Sequence, residues 1–303
     1  MSLNKTRANL MLALAALIWG AAFSAQSIGM DYVGPFTFNS VRSFVGGIAL
    51  VIYISFTDRK KPKPKSEVYT KSLLTGGIAC GIVLAVASSL QQHGIMFTTV
   101  GKAGFITALY IVIVPILGIF LKKKVSPVIW LSVLLAVFGM YLLCMTESLV
   151  IEKGDFYVLV CAFFFAVHIL VIDHFSPKAD CVRMSCIQFF VCGIICLVPA
   201  AMFEHPSLGS ILDAWLPILY AGAFSCGIAY TLQIAAQRHT NVVIASLILS
   251  LESVFSVLFG WILLSETLSA REILGCIVVF AAILLTNVPD YIENRKRKAS
   301  CLK

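Results

Sequence analysis

Long apolar runs separated by short polar connections recur from one end of the chain to the other. They fall at about 9–29, 36–56, 72–97, 103–121, 127–145, 156–173, 184–202, 213–236, 242–264 and 272–288. Each is close to the roughly 20 residues that an α-helix needs to cross the hydrocarbon core of a bilayer. The pattern predicts an all-α polytopic membrane protein with ten transmembrane helices. Punctuation agrees with it: Lys122, Lys123 and Lys124 stop the fourth run, and Pro62 and Pro64 sit in a lysine-rich loop after the second. The first run, preceded by Lys5 and Arg7 and ending in small residues at Ala21–Ala25, has the outline of a cleavable signal peptide. It is expected to stay in the fold, because it has a counterpart in the second half of the chain.

That counterpart belongs to an internal repeat. Val41-Arg42-Ser43-Phe44-Val45 overlays Ile187-Gln188-Phe189-Phe190-Val191, Cys80-Gly81-Ile82 overlays Cys226-Gly227-Ile228, and Gln91 falls on Gln237, all at an offset of 146. In the next span the alignment shifts to 143, which places Ala103, Thr107 and Tyr110 on Ser246, Ser250 and Ser253. A near-constant offset through several spans predicts two five-helix repeats, 1–150 and 151–290, followed by a basic tail at 291–303. Five is odd, so the second repeat enters the membrane from the opposite side. Inverted repeats of this kind build secondary transporters, with the substrate site near the midplane where the repeats meet.

Composition narrows the class without changing it. The chain is 59% hydrophobic and 13% charged, well below the roughly 25% charge of soluble domains. Its net charge of +8 would suit a nucleic-acid partner, but the positive residues are sorted by side. With the N-terminus in the cytoplasm, 19 of the 23 lysines and arginines lie on inner segments. The exceptions are Lys102, Lys153 and Arg271 outside and Arg42 within a span. The positive-inside rule therefore predicts both termini in the cytoplasm, and no nucleic-acid partner is expected. The expected partners are the lipid bilayer and a small-molecule substrate; a homodimer is compatible with the sequence. The ten cysteines show no CxxC or Cys/His ligand spacing and mostly lie inside apolar runs. Neither disulfides, a metal site nor a cofactor is expected.

Polar side chains inside a span are costly and mark function or interhelical bonding. The eighth span carries Cys226, Tyr230, Gln233 and Gln237 on one helical stripe. The sixth carries Phe165 and His168, and the first carries Trp19 at the position equivalent to Phe165. Together with Gln91, Thr107, Tyr110, Ser246 and Ser250, these residues are the expected lining of a substrate cavity. His168 and Glu252 are the candidates for proton coupling. Glu252 lies about 100° from Ser253 on a helix, on a face with Ala245, Ser256 and Gly260. That placement favours bonding to a neighbouring helix over coupling. Arg42, near the outer end of its span, is expected to reach for the interface. Lys102 is expected to be a solvated loop charge.

Several segments resemble the EamA-type transporters of the drug/metabolite transporter superfamily. They are Ala15-Ala16-Leu17-Ile18-Trp19-Gly20, the stretch from Gly101 to Tyr110, the stretch from Ala245 to Val254, and Leu263-Leu264-Ser265-Glu266-Thr267-Leu268-Ser269. The resemblance implies a ten-helix carrier of the bacterial cytoplasmic membrane that exports amino acids or other small metabolites. It also implies a central cavity lined mainly by helices 1, 3, 4, 6, 8 and 9. Span 1 lacks the membrane carboxylate of the small four-span multidrug members. Glu252-Ser253 stands where the family often has Glu-Pro, so no proline kink is expected in span 9. The mechanism expected is alternating access, one five-helix repeat rocking against the other. An intramembrane enzyme would need HExxH, GxSxG or paired intramembrane aspartates, none of which the sequence contains. A non-transporting sensor or a channel is the remaining alternative.

Overall fold

A computed structural model of the chain describes residues 2–57, 67–121, 125–144, 153–264 and 269–285. Among these residues there is no strand, and ten apolar helical segments follow one another. They are α1 (Ser2–Gly29), α2 (Pro35–Thr57), α3 (Glu67–Ile95), α4 (Val100–Phe120), α5 (Pro127–Cys144), α6 (Lys153–Phe175), α7 (Cys181–Glu204), α8 (Trp215–Gln237), α9 (Val242–Leu249 continued by Leu251–Leu264) and α10 (Ala270–Leu285). Eight are long and apolar enough to cross a membrane, and α5 and α10 are shorter apolar helices. The basic tail expected at 291–303 lies outside the described residues.

Helices are the only open-ended way to satisfy every backbone N–H and C=O inside lipid. The chain supplies caps where its helices begin. The Thr99, Asp180 and Asn241 side chains accept from the N–H groups of Lys102, Arg183 and Val243 and so start α4, α7 and α9. Pro35 starts α2, where its missing N–H costs nothing. Burial is inverted relative to a soluble protein. Leu10, Phe56, Phe120 and Leu134 are exposed, whereas Asn39, Arg42, Gln91, Gln92, His168, Gln188 and Gln233 are buried. An apolar exterior around a polar interior is what a bilayer selects.

Packing follows the repeat. Eight helices form a closed ring in the order α1, α8, α2, α7, α3, α6, α4, α9, with α9 returning to α1. The pair α5 and α10 packs together outside the ring, against α4 and α9. Adding five to each helix of the first repeat, and subtracting five from each of the second, maps the ring onto itself. The molecule is thus two inverted five-helix repeats. Close approach depends on small residues: a Cβ at Gly46 of α2 would lie 2.5 Å from the Cys226 Cβ and 2.8 Å from the Gly222 carbonyl of α8.

Each neighbour in the ring comes from the other repeat. The repeats interlock. Helix α4 is interrupted at Leu109 and α9 at Ser250. Residues Tyr220–Ala229 of α8 are wound as a π-helix, a rare form concentrated at functional sites. The caps at Thr99 and Asn241 and the breaks at Leu109 and Ser250 align α4 with α9 at offsets of 142 and 141. At the break, Tyr110 then corresponds to Leu251, rather than to the Ser253 that sequence matching suggests.

Candidate functional site

The ring surrounds a narrow cavity of about 40 Å³, room for a few water molecules. Its walls come from α1, α2, α3, α4, α6, α8 and α9. Most of the residues picked out in the sequence meet here: Trp19, Gln91, Thr107, Tyr110, Phe165, His168, Tyr230 and Gln233, with Glu252 beside them.

Tyr230 is the hub of the aromatic wall. Its ring lies 4.7 Å from Trp19, 5.8 Å from His168 and 5.4 Å from Phe189, centroid to centroid. His168 is held from behind by Gln188 of α7, with 3.2 Å between its Nε2 and Oε1. Gln91 donates to the Thr107 hydroxyl at 3.1 Å and ties α3 to α4 across the cavity edge. Trp19 Nε1 and Gln233 Oε1 of the wall are buried without a hydrogen-bond partner, and Tyr110 and Glu252 face one another within side-chain reach. Orphaned polar atoms are expensive in a low-dielectric interior. Such atoms on one cavity wall mark a place that a polar solute or water fills.

The structure corrects three expectations. Ser246 and Ser250 do not reach the cavity. Each hydroxyl donates to the carbonyl three residues back, Ser246 to Val243 and Ser250 to Leu247, and Ser253 and Ser256 do the same. Such back-bonding satisfies a serine within its own helix and bends it, which gives α9 a break without proline. The cavity face of α9 is instead Leu249 and Glu252, so Glu252 is not confined to helix contact. Arg42 does not reach for the interface either. It is 6% exposed, donates from Nη1 to Gln26 Oε1 at 2.8 Å, lies over the Phe38 ring, and faces the cavity. Sequence reasoning therefore missed Arg42 and Gln26 as lining residues and α2 as a lining helix. The signal was present in the density of polar residues through Thr37, Asn39, Ser40, Arg42 and Ser43, too many for a lipid-facing span.

Two polar clusters close the end of the bundle opposite the N-terminus. Lys102 Nζ lies 2.6 Å from Asp155 Oδ2, and the Thr98 hydroxyl donates to Asp155 Oδ1, joining the α3–α4 turn to the start of α6. Lys102 is thus paired, rather than a free loop charge. At the start of α2, the Phe36 and Thr37 N–H groups and the Thr37 hydroxyl all donate to the Glu204 carboxylate at the end of α7. A separate groove of about 400 Å³ lies between α3 and α7 near the same end, where His93 packs against Tyr157. Its walls include the exposed Val86 and Ile195, which makes it a feature of the outer surface, distinct from the central cavity.

The EamA-like transporter family model matches the chain twice, over residues 6–145 and 152–288. The chain belongs to the EamA-like transporter family. Among its relatives, an "Uncharacterized transporter" of Archaeoglobus fulgidus is 31% identical over 93% of this chain and 86% of its own length. The "Uncharacterized transporter YoaV" of Bacillus subtilis is 23% identical over 89% and 92%. A "WAT1-related protein" of Arabidopsis thaliana, described as chloroplastic, is 23% identical over 90% and 67%. A solved crystal structure superposes with a TM-score of 0.76 at 15% identity, covering 94% of this chain and 97% of the other, which places the fold among known ones. Family and relatives together make this a multi-pass membrane transporter rather than an enzyme.

Proposed function

We propose that the protein is a secondary transporter of the bacterial cytoplasmic membrane that exports small, amino acid-like metabolites by alternating access. The observation that carries this reading is the central cavity: a membrane-enclosed chamber with an aromatic wall and unpartnered polar atoms, ringed by helices that alternate between two inverted repeats. Broken helices beside a midplane site are the usual construction of such carriers, and Tyr110 and Glu252 stand next to the breaks in α4 and α9. The aromatic rings accommodate an apolar body, and the polar atoms accommodate a zwitterion or uncharged polar group.

Orientation follows from charge, with both termini in the cytoplasm and the end closed by Lys102–Asp155 and Glu204 facing outward. A membrane-impermeant thiol reagent should leave Cys301 unlabelled in intact cells and label it after permeabilisation; labelling of intact cells would reverse the topology. The reading as a whole is tested by counterflow of labelled metabolites in liposomes containing the purified protein. Gln233→Leu, which removes an unpartnered acceptor from the wall, should lower transport by about tenfold or more with the protein still folded. Counterflow of nothing in a broad metabolite panel, or wild-type rates for Gln233→Leu, would count against the cavity as the substrate path.

A further inference from the structure

We infer that the transported solute carries a carboxylate and that Arg42 is the residue that binds it; this deepens the transport reading and rests on it. Arg42 lies within α2, 6% exposed. Among the described residues it is the only lysine or arginine on the cavity wall. Its guanidinium has five N–H donors, and the side chain it bonds to is the neutral Gln26. Among the described residues no carboxylate lies within ion-pair distance of it. An arginine does not shed its charge on burial, and a buried charge left without a counter-ion is costly. A membrane carrier that keeps such a cation facing its cavity has a place for an anion to complete.

A second observation on the same wall points the same way. Trp19 Nε1 is a buried donor with no partner, so that the wall offers donors from both α1 and α2. An unpartnered acceptor lies elsewhere on it at Gln233 Oε1, and the Glu252 carboxyl lies beside Tyr110. Tyr230 stands within electrostatic reach of both Arg42 and Glu252, which do not pair with one another. A solute with a carboxylate toward Arg42 and a donor group toward Gln233 and Glu252 matches these poles, with its apolar part against Trp19 and Tyr230. A single guanidinium fork fits one planar carboxylate in bidentate fashion. A doubly charged phosphate would leave one negative charge uncompensated by any other fixed cation of the wall.

The test is a ladder of matched ligands on the full-length protein in nanodiscs: 3-phenylpropionate, phenylalanine, phenylalaninamide, phenethylamine and phenyl phosphate, read by equilibrium binding. The two carboxylates should bind at least tenfold more tightly than the amide, the amine and the phosphate. Arg42→Gln should weaken the carboxylates about tenfold or more, and Arg42→Lys, which keeps the charge without the fork, should fall between. The inference is overturned if the amide, amine or phosphate binds as tightly as the carboxylates, if neither carboxylate binds at roughly millimolar concentration, or if folded Arg42→Gln keeps wild-type affinity for them. Should Arg42→Gln fail to fold, the wild-type ladder and Arg42→Lys still decide. Counterflow separates this from the broader reading. Carboxylates that bind but are never carried would sink transport and spare the Arg42 site, whereas transport of the amide or amine in preference would do the reverse.

Discussion

At the scale of single residues, the difference between Glu252 and its serine neighbours has the largest consequence. All are buried and polar, yet each serine spends its hydroxyl on its own helix while Glu252 faces the cavity beside Tyr110. Helical spacing in the sequence groups Ser246, Ser250 and Ser253 into a face, and the grouping is correct. It cannot tell whether that face meets a cavity or a neighbouring helix, because a serine can satisfy itself through its own backbone and a carboxylate cannot. The same limit hid Arg42: one-dimensional position near a helix end suggests snorkelling, and only the packing of Gln26 and Phe38 shows the guanidinium turned inward. The aromatic and amide residues were legible because Trp19, Phe165, Tyr230 and Gln233 cannot be hidden by back-bonding. Glu252 faces the cavity beside Tyr110, and His168 faces it with Gln188 behind, so the two coupling candidates are separated by substitution. Glu252→Gln mimics the permanently protonated side chain. It should abolish accumulation driven by a pH gradient while leaving downhill exchange of substrate. His168→Gln, the matched control, should retain driven accumulation; the opposite pattern in the two variants would move the coupling role to His168.

At the scale of elements, the order of ten helices and their approximate limits could be read from apolar run length alone, because the bilayer fixes how much chain a span requires. The contacts between elements could not. Glu204 ends α7 and sits in a stretch that sequence reading assigns to a polar connection, yet it caps α2 from 167 residues away through two N–H groups and a hydroxyl. A carboxylate at a helix N-terminus is favoured by the unsatisfied N–H groups and the helix dipole together. Glu204→Ala should therefore lower the thermal stability of the purified protein by the equivalent of about 1–2 kcal/mol. Glu204→Gln, which keeps an acceptor but loses the charge, should recover part of that loss. Equal melting temperatures for wild type and Glu204→Ala would show that water replaces the cap without cost. The α9 break belongs to the same scale: with no proline in the span, the serine bonds from Ser246 to Ser256 supply the local reason for it.

At the scale of the whole molecule, the repeat in the sequence carried the inverted architecture but not its interlocking. Two halves written one after the other suggest two bundles, whereas successive helices around the ring alternate between them. Leu109, Ser250 and the π-wound segment of α8 interrupt regular helix beside the cavity. At the end away from the N-terminus, an ion pair and a carboxylate cap tie α4 to α6 and α7 to α2. At the other end Thr240 donates to Asn9 and Arg238 to the Cys181 thiol. Lys102 and Asp155 are 17% and 6% exposed, so their pair is less screened than a surface bridge and is worth about 1 kcal/mol or somewhat more. If that pair is part of the outer closure, Lys102→Ala or Asp155→Ala should shift the population toward outward opening by about fivefold. Thr107 lies in the cavity on α4, below this closure, and a cysteine placed there (T107C) reports on it. In right-side-out vesicles, T107C should react slowly with an impermeant maleimide and several-fold faster when Lys102→Ala is added. The charge-reversed double variant, Lys102→Asp with Asp155→Lys, should restore slow labelling. Labelling rates indifferent to the pair would place the outer closure elsewhere and leave Lys102–Asp155 as a structural tie between α4 and α6.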